Sequence, residues 1–174
     1  MDGLPDLCTM ETLTAPSALA ALPGHARTWI YKSAVPFTAE QAAALREQGL
    51  AFTNAWTSHG EAVIAGFDVV KDHFVVIAAD LRKMTICGGA IDASVQLIKR
   101  LEGSLGLSLT DRMVVLYEKD GVVESCRVPE VEGLLKRGDL TADTLVFDDL
   151  VATKADMDAR FLTPLRSTWM ARHL

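Results

Sequence analysis

Two short stretches concentrate the side chains able to move protons, attack an electrophile or hold an anion: Trp56-Thr57-Ser58-His59-Gly60 and Cys87-Gly88-Gly89-Ala90-Ile91-Asp92-Ala93-Ser94. His59 carries the ring whose ordinary pKa lies nearest neutrality, which suits a general base or a ligand. A histidine beside Gly60 at a helix end also complements the helix dipole, with the glycine as left-handed terminator, and both readings stand. Cys87 lies just ahead of a helix start, where a thiol pKa falls and the sulfur becomes a nucleophile; the plainer role is a small buried hydrophobe. Gly88-Gly89 opens that helix with free backbone N–H groups suited to a carboxylate or phosphate, or else forms a tight turn feeding a helix. Asp92 and Ser94 are placed in the first turn, where an aspartate offsets the dipole. Asp80, closing the preceding strand, is expected to converge with Cys87 and Asp92. The catalytic candidates are therefore His59, Cys87 and Asp92, with Asp92 or Asp80 orienting the base. The ligand-binding candidates are Trp56, His59, Gly88, Gly89, Asp92 and Ser94. His59, Asp80, Cys87 and Asp92 have no metal-ligand spacing, and no metal or cofactor is expected. There is no G-x-x-x-x-G-K-[ST] phosphate loop, so ATP hydrolysis lacks its usual residues.

Sequence patterning supplies the elements that position these groups. Thr28 to Val35 is a β-prone run stopped by Pro36. Thr38 and Gln41 form a capping box, Phe37 and Ala42 its staple, and Leu45, Gly49, Phe52 and Trp56 mark one face of a helix ending near Trp56. Gly49 on that face permits close approach to a sheet. Ala62–Val70 and His73–Ala79 read as antiparallel strands broken at Lys71-Asp72. A second helix runs from Gly88 through Ile91, Val95, Ile98 and Leu101 to Leu105. Met113–Tyr117 and Val122–Val128 flank Asp120-Gly121, a strong hairpin signal. Pro129 to Arg137 is a short helix closed by Gly138, Thr144 to Val151 a further apolar run, and Lys154 to Leu174 mixed. Trp169 and Arg172 tie the tail to the domain by packing. The pairs Asp111-Arg112 and Asp148-Asp149 read as solvated strand ends. The order strand, helix, strand, strand, helix, strand predicts an α+β fold with a ferredoxin-like βαββαβ core, two helices on one face of an antiparallel sheet, plus a C-terminal strand and helices.

The 174 residues suffice for one domain, expected over 27–174, with 1–26 as a flexible extension. Acidic residues exceed basic ones by six and no basic run exceeds two, which argues against nucleic acid. The three cysteines, Cys8, Cys87 and Cys126, are odd in number and widely spaced, as in a reducing cytoplasm. Neither a secretory signal nor an apolar run of membrane-spanning length is read, so no membrane partner is expected.

The two stretches, with Trp29-Ile30-Tyr31, Asp111-Arg112-Met113 and Trp169, resemble a family of uncharacterised bacterial proteins often labelled "ABC transporter ATPase", with the patterns W-T-x-H-G and G-C-S-I-D-x-S-V. The likeness runs from Arg27 to the end. Gly89 stands where that family has Cys and Ala90 where it has Ser, so a nucleophile at either position is lost here unless Cys87 substitutes. The label implies a transporter-associated ATPase, which the missing phosphate loop does not support. The expectation is an uncharacterised cytoplasmic domain that binds a small anionic ligand or a protein partner, a second copy in a homodimer included. The alternative is a small hydrolase or transferase using His59, Cys87 and Asp92.

Overall fold

A computed structural model describes residues 18–174. β1 (Arg27–Lys32) leads through Pro36 to α1 (Ala39–Ala55), whose start is the capping box read from sequence: Thr38 Oγ1 accepts from the Gln41 N–H at 3.1 Å, and Gln41 Oε1 accepts from the Thr38 N–H at 2.9 Å. The chain then forms a two-residue hairpin, β2 (Thr57–Ser58) and β3 (Glu61–Ala62), before the long hairpin β4 (Ile64–Val70) and β5 (Phe74–Asp80). Lys71 and Asp72 turn that hairpin at φ 53° and 54°.

β1, β5 and β4 form an antiparallel sheet with β5 central. From Phe74 to Ala79 every residue is buried, because β5 is covered on both faces and so reads as an unbroken apolar run. Val75, Ile77 and Ala79 face α1 and α2 (Gly88–Leu105), packing with Leu45, Ile98 and Leu101. Gly49 of α1 lies against the Phe67 ring of β4, the close approach expected of it. On the opposite face, Val76 and Ala78 meet Leu19, Leu22 and Ala26, and Phe74 meets a second sheet. Residues 18–26, assigned to a flexible extension in the sequence reading, thus form part of the core at those three side chains. Gly66 makes room for them, since a Cβ there stands 2.9 Å from the Ala18 carbonyl. The rest of the expected extension, 1–17, lies outside the described residues.

The second sheet contains β6 (Val114–Lys119), β7 (Val122–Arg127), β8 (Leu145–Phe147) and β9 (Leu162–Pro164), in the order β7-β6-β8-β9. Asp120 and Gly121 close its first hairpin at φ 52° and 78°. Here the architecture departs from the sequence expectation. A ferredoxin-like sheet would set β6 beside β1, yet β6 pairs with β7 and β8, and β1, besides its pairing with β5, has an isolated bridge from Arg27 to Thr153. Val114 and Leu116 turn toward Phe74, while Val115 and Tyr117 turn toward α3 (Val131–Arg137) and the C-terminal turns. Two apolar faces give β6 more to bury between layers than at the edge of the first sheet. Phe74, Phe147 and Phe161 join the two sheets with ring centroids 4.9 to 5.3 Å apart. The molecule is thus α+β with separate antiparallel sheets.

α4 (Lys154–Arg160) follows, capped by Thr153, and the final turn at Trp169–His173 packs Met170 into the core. Trp169 and Met170 pack the tail against the cluster around Val115 and Val131, while Arg172 covers the Trp169 ring at 4.7 Å within the same turn. The pair Asp148-Asp149 is not a solvated terminus: Asp148 is buried and takes Arg160 at 2.7 Å, and Asp149 takes Lys32 at 2.6 Å. Among the described residues no helix is long and apolar enough to cross a membrane.

Candidate functional site

Four hydrogen bonds set the geometry between the end of α1 and the start of α2. Trp56, buried against Trp29 and Phe52, donates its indole N–H to the Ala90 carbonyl at 2.9 Å. Ser58 lies one strand residue beyond Thr57, buried. Its hydroxyl oxygen accepts the Cys87 N–H at 3.0 Å, and the hydroxyl donates to the Thr85 carbonyl at 3.3 Å. The Val63 N–H returns to the Trp56 carbonyl at 2.9 Å and closes the small hairpin onto the helix end. The two stretches named in the sequence therefore meet. Between them lies a groove of about 410 Å³ lined by Phe52, Trp56, Thr57, Cys87, Gly89 and Ala93 among others.

Cys87 is the N-cap of α2 and half-buried at this groove. Its thiol is held below its ordinary pKa, first by the Ser58 hydroxyl, then by the Ala90 N–H, with the His59 N–H adding to them. The Ser58 hydroxyl has one proton, so it favours the thiolate when that proton turns from the Thr85 carbonyl to the sulfur. At the helix start, the Ala90 and Ile91 N–H groups bond the Cys87 carbonyl, both at 3.1 Å. Those of Gly88 and Gly89 have no acceptor among the described residues, and a Cβ on either glycine would meet nothing within 4 Å. The groove thus offers an aromatic and aliphatic floor, the unpaired Gly89 N–H with that of Gly88 next in the chain, and a thiol with a lowered pKa.

The other candidates are placed differently. His59 is exposed at φ 52°, and with Gly60 at φ 80° it forms the turn of the β2–β3 hairpin instead of terminating α1, which ends at Ala55. Its imidazole makes no hydrogen bond to Cys87 among the described residues and does not line the groove. Asp92 is in the second turn of α2, since the helix begins at Gly88, and it is exposed. Ser94 is buried and spends its hydroxyl on the Ile91 carbonyl at 2.6 Å. Asp80 bonds Arg82 and His25, the latter at 2.8 Å, and these contacts hold its carboxyl well below the usual range. Through His25, 55 positions away in the chain, it holds the end of residues 18–26. The expected convergence of Asp80, Cys87 and Asp92 has no bond behind it. Among the described residues no three His, Cys, Asp or Glu gather as metal ligands.

Sequence reasoning missed Ser58, whose hydroxyl links the two stretches; its alternation with exposed Thr57 was the available signal. It also missed Thr85, which contributes only its carbonyl. Comparison with protein-family models, with curated proteins and with solved structures finds no match for this chain.

Proposed function

We propose that the groove at the start of α2 binds a small ligand with an apolar body and an anionic end, and that this chain works as a ligand-binding domain. The observation that carries the reading is the unpaired N–H of Gly89 at a groove floored by Phe52 and Trp56, with the unpaired N–H of Gly88 next to it in the chain. An 18-residue helix adds its partial positive charge at that end. In this reading Trp56 and Gly89 line the groove with Gly88 beside them in the chain, while His59, Asp92 and Ser94 contribute to the hairpin, the exposed face and the helix backbone respectively. The antiparallel order β1-β5-β4 with two helices on one face supports a ferredoxin-like origin for the first half of the chain, and the resemblance drawn from the two motifs falls on the residues of this groove. Among the described residues Cys87 and Cys126 are free thiols, which supports a cytoplasmic setting.

Hexanoate is a suitable first probe, with acetate and butylamine as controls for chain and charge. Hexanoate should raise the Tm and slow iodoacetamide alkylation of Cys87, followed by peptide mass spectrometry. Gly89→Leu, whose side chain enters open space, should abolish both effects without unfolding the protein. Equal responses to hexanoate and butylamine, or no protection of Cys87, would remove the reading.

The lowered Cys87 pKa favours a second reading, a hydrolase or transferase with Cys87 as nucleophile. With p-nitrophenyl acetate, Cys87→Ser should then end acyl transfer. His59→Ala should change it little, since the imidazole is not bonded to the thiol.

A further inference from the structure

A cavity of about 390 Å³ lies by the start of α1 and the end of α2, where the loop after β1, the loop after α2 and the strands β6 and β7 converge. Hydrogen bonds hold two of its walls. Ser33 donates its N–H to the His73 carbonyl at 2.8 Å and its hydroxyl to the Val35 carbonyl at 2.6 Å, and the buried His73 ring bonds the Ser33 carbonyl at 2.8 Å. The loop after α2 is held by one carboxylate: Glu102 Oε1 accepts from the Leu109 N–H at 2.6 Å and from the N–H and hydroxyl of Thr110, both at 3.0 Å. A cavity built this way loses little freedom when it is filled.

Its lining combines an apolar body with a single opposed pair of charges. Val35, Pro36, Leu107 and Val114 supply the apolar part, and the Val35 side chain remains 69% exposed. Arg127 and Asp111 supply the charges, joined Nη1 to Oδ2 at 3.0 Å and each still partly open to solvent. Oδ1 of Asp111 takes the Met113 N–H at 2.9 Å, which orients the carboxylate. The remaining guanidinium N–H groups of Arg127 have no acceptor among the described residues. Of the charges nearby, Lys32 is paired with Asp149 at 2.6 Å, and the Glu130 carboxylate accepts the Arg127 backbone N–H at 2.6 Å. A lone anion drawn to Arg127 is repelled by Asp111, and a lone cation drawn to Asp111 is repelled by Arg127. A ligand carrying both charged groups on one carbon satisfies both.

We propose that this cavity is a second binding site, for a small zwitterion of the α-amino-acid class with an apolar side chain. The carboxylate takes the free guanidinium N–H groups of Arg127, the ammonium takes Asp111, and the side chain covers Val35 and Leu107. The site is independent of the groove at α2 and does not rest on its function.

The test uses L-leucine on the full chain, with N-acetylleucine and leucinamide as analogues lacking one charge each. For a dissociation constant near 1 mM, leucine at about 10 mM raises the Tm by about 3–6 °C. Both blocked analogues should give a fraction of that rise, and Arg127→Gln and Asp111→Asn should each remove it, while Gly89→Leu leaves it intact. The site is refuted if leucine gives no rise, if either analogue equals it, if both charge variants keep the response, or if Gly89→Leu abolishes it. The analogue comparison is made on the unmodified protein, so it decides the matter even where a variant folds poorly.

Discussion

Replacing Gly49 with alanine tests the packing of α1 on the sheet. Alanine is the better helix former by about 1 kcal/mol, so an exposed interior glycine would gain stability from the change. At Gly49 the added carbon would stand 2.3 Å from Cγ, Cδ1 and Cε1 of Phe67, and the two must part by about 1.1 Å to reach ordinary contact at 3.4 Å. Phe67 is 1% exposed, and the clash includes Cγ, the root of the ring, so rotation about its axis gives no relief. Overpacking of this kind costs about 1–3 kcal/mol, and with the clash spread over three atoms the upper end applies, leaving a net loss of about 2 kcal/mol after the propensity gain. For a chain of this size the Tm should fall by about 4–8 °C. Gly103→Ala in α2 is the control: a Cβ there meets nothing within 4 Å, and stability should rise by about 0.5–1 kcal/mol. Combining Gly49→Ala with Phe67→Leu should cost less than the two changes summed, by at least about 0.5 kcal/mol. Urea and thermal denaturation followed by circular dichroism measure all four. If Gly49→Ala is as stable as the unmodified chain, the helix does not sit at this distance and the argument fails.

Other outcomes follow from contacts already described. Trp56→Phe keeps the aromatic packing but loses the buried bond to the Ala90 carbonyl, and should cost about 1–2 kcal/mol in urea denaturation. Glu102→Ala removes the acceptor for three donors and should cost about 2–3 kcal/mol, with faster amide exchange at Leu109 and Thr110 as the local signature. Asp80 has a depressed folded pKa, so its contribution is present above the unfolded value, about 3.9, and is lost as the pH falls toward the folded one. Asp80→Asn should therefore be less stable at pH 7 yet lose less stability between pH 5 and pH 2 in acid titrations. Cys126, pushed up to about 11 chiefly by burial, should react with iodoacetamide at pH 7.5 far more slowly than Cys87, and mass spectrometry of the two peptides reads the ratio.

Local chemistry was legible wherever a few neighbouring residues decide it. Thr38 and Gln41 announce their helix, Asp120-Gly121 its hairpin, and Gly49 its tight contact. Partnership between distant segments was not. β6 carries apolar residues on both faces, which marks it as buried but not beside which strand, and its partner β8 is only three residues long, too short for any period to show. At the site, the meeting of the two stretches was readable from their motifs. The fate of His59 was not, because two-residue strands on either side of it leave no strand signal, and without them His59-Gly60 looks like a helix terminus. Asp92 was misplaced by one turn because two glycines can precede a helix or begin it, and here they begin it. Residues 18–26 were misjudged because Leu19 and Leu22 find their cover on strands more than forty positions away.

The double burial of β5 carries a hazard as well as a benefit. Phe74-Val75-Val76-Ile77-Ala78-Ala79 is a six-residue run without charge, proline or glycine, the composition from which steric zippers assemble. Lys71, Asp72, Asp80 and Arg82 bracket it as charged gatekeepers. A chain that lost residues 18–26, or opened its second layer during heating, would present this run to its neighbours, and its failure on denaturation would be fibrillar precipitation before it was simple unfolding.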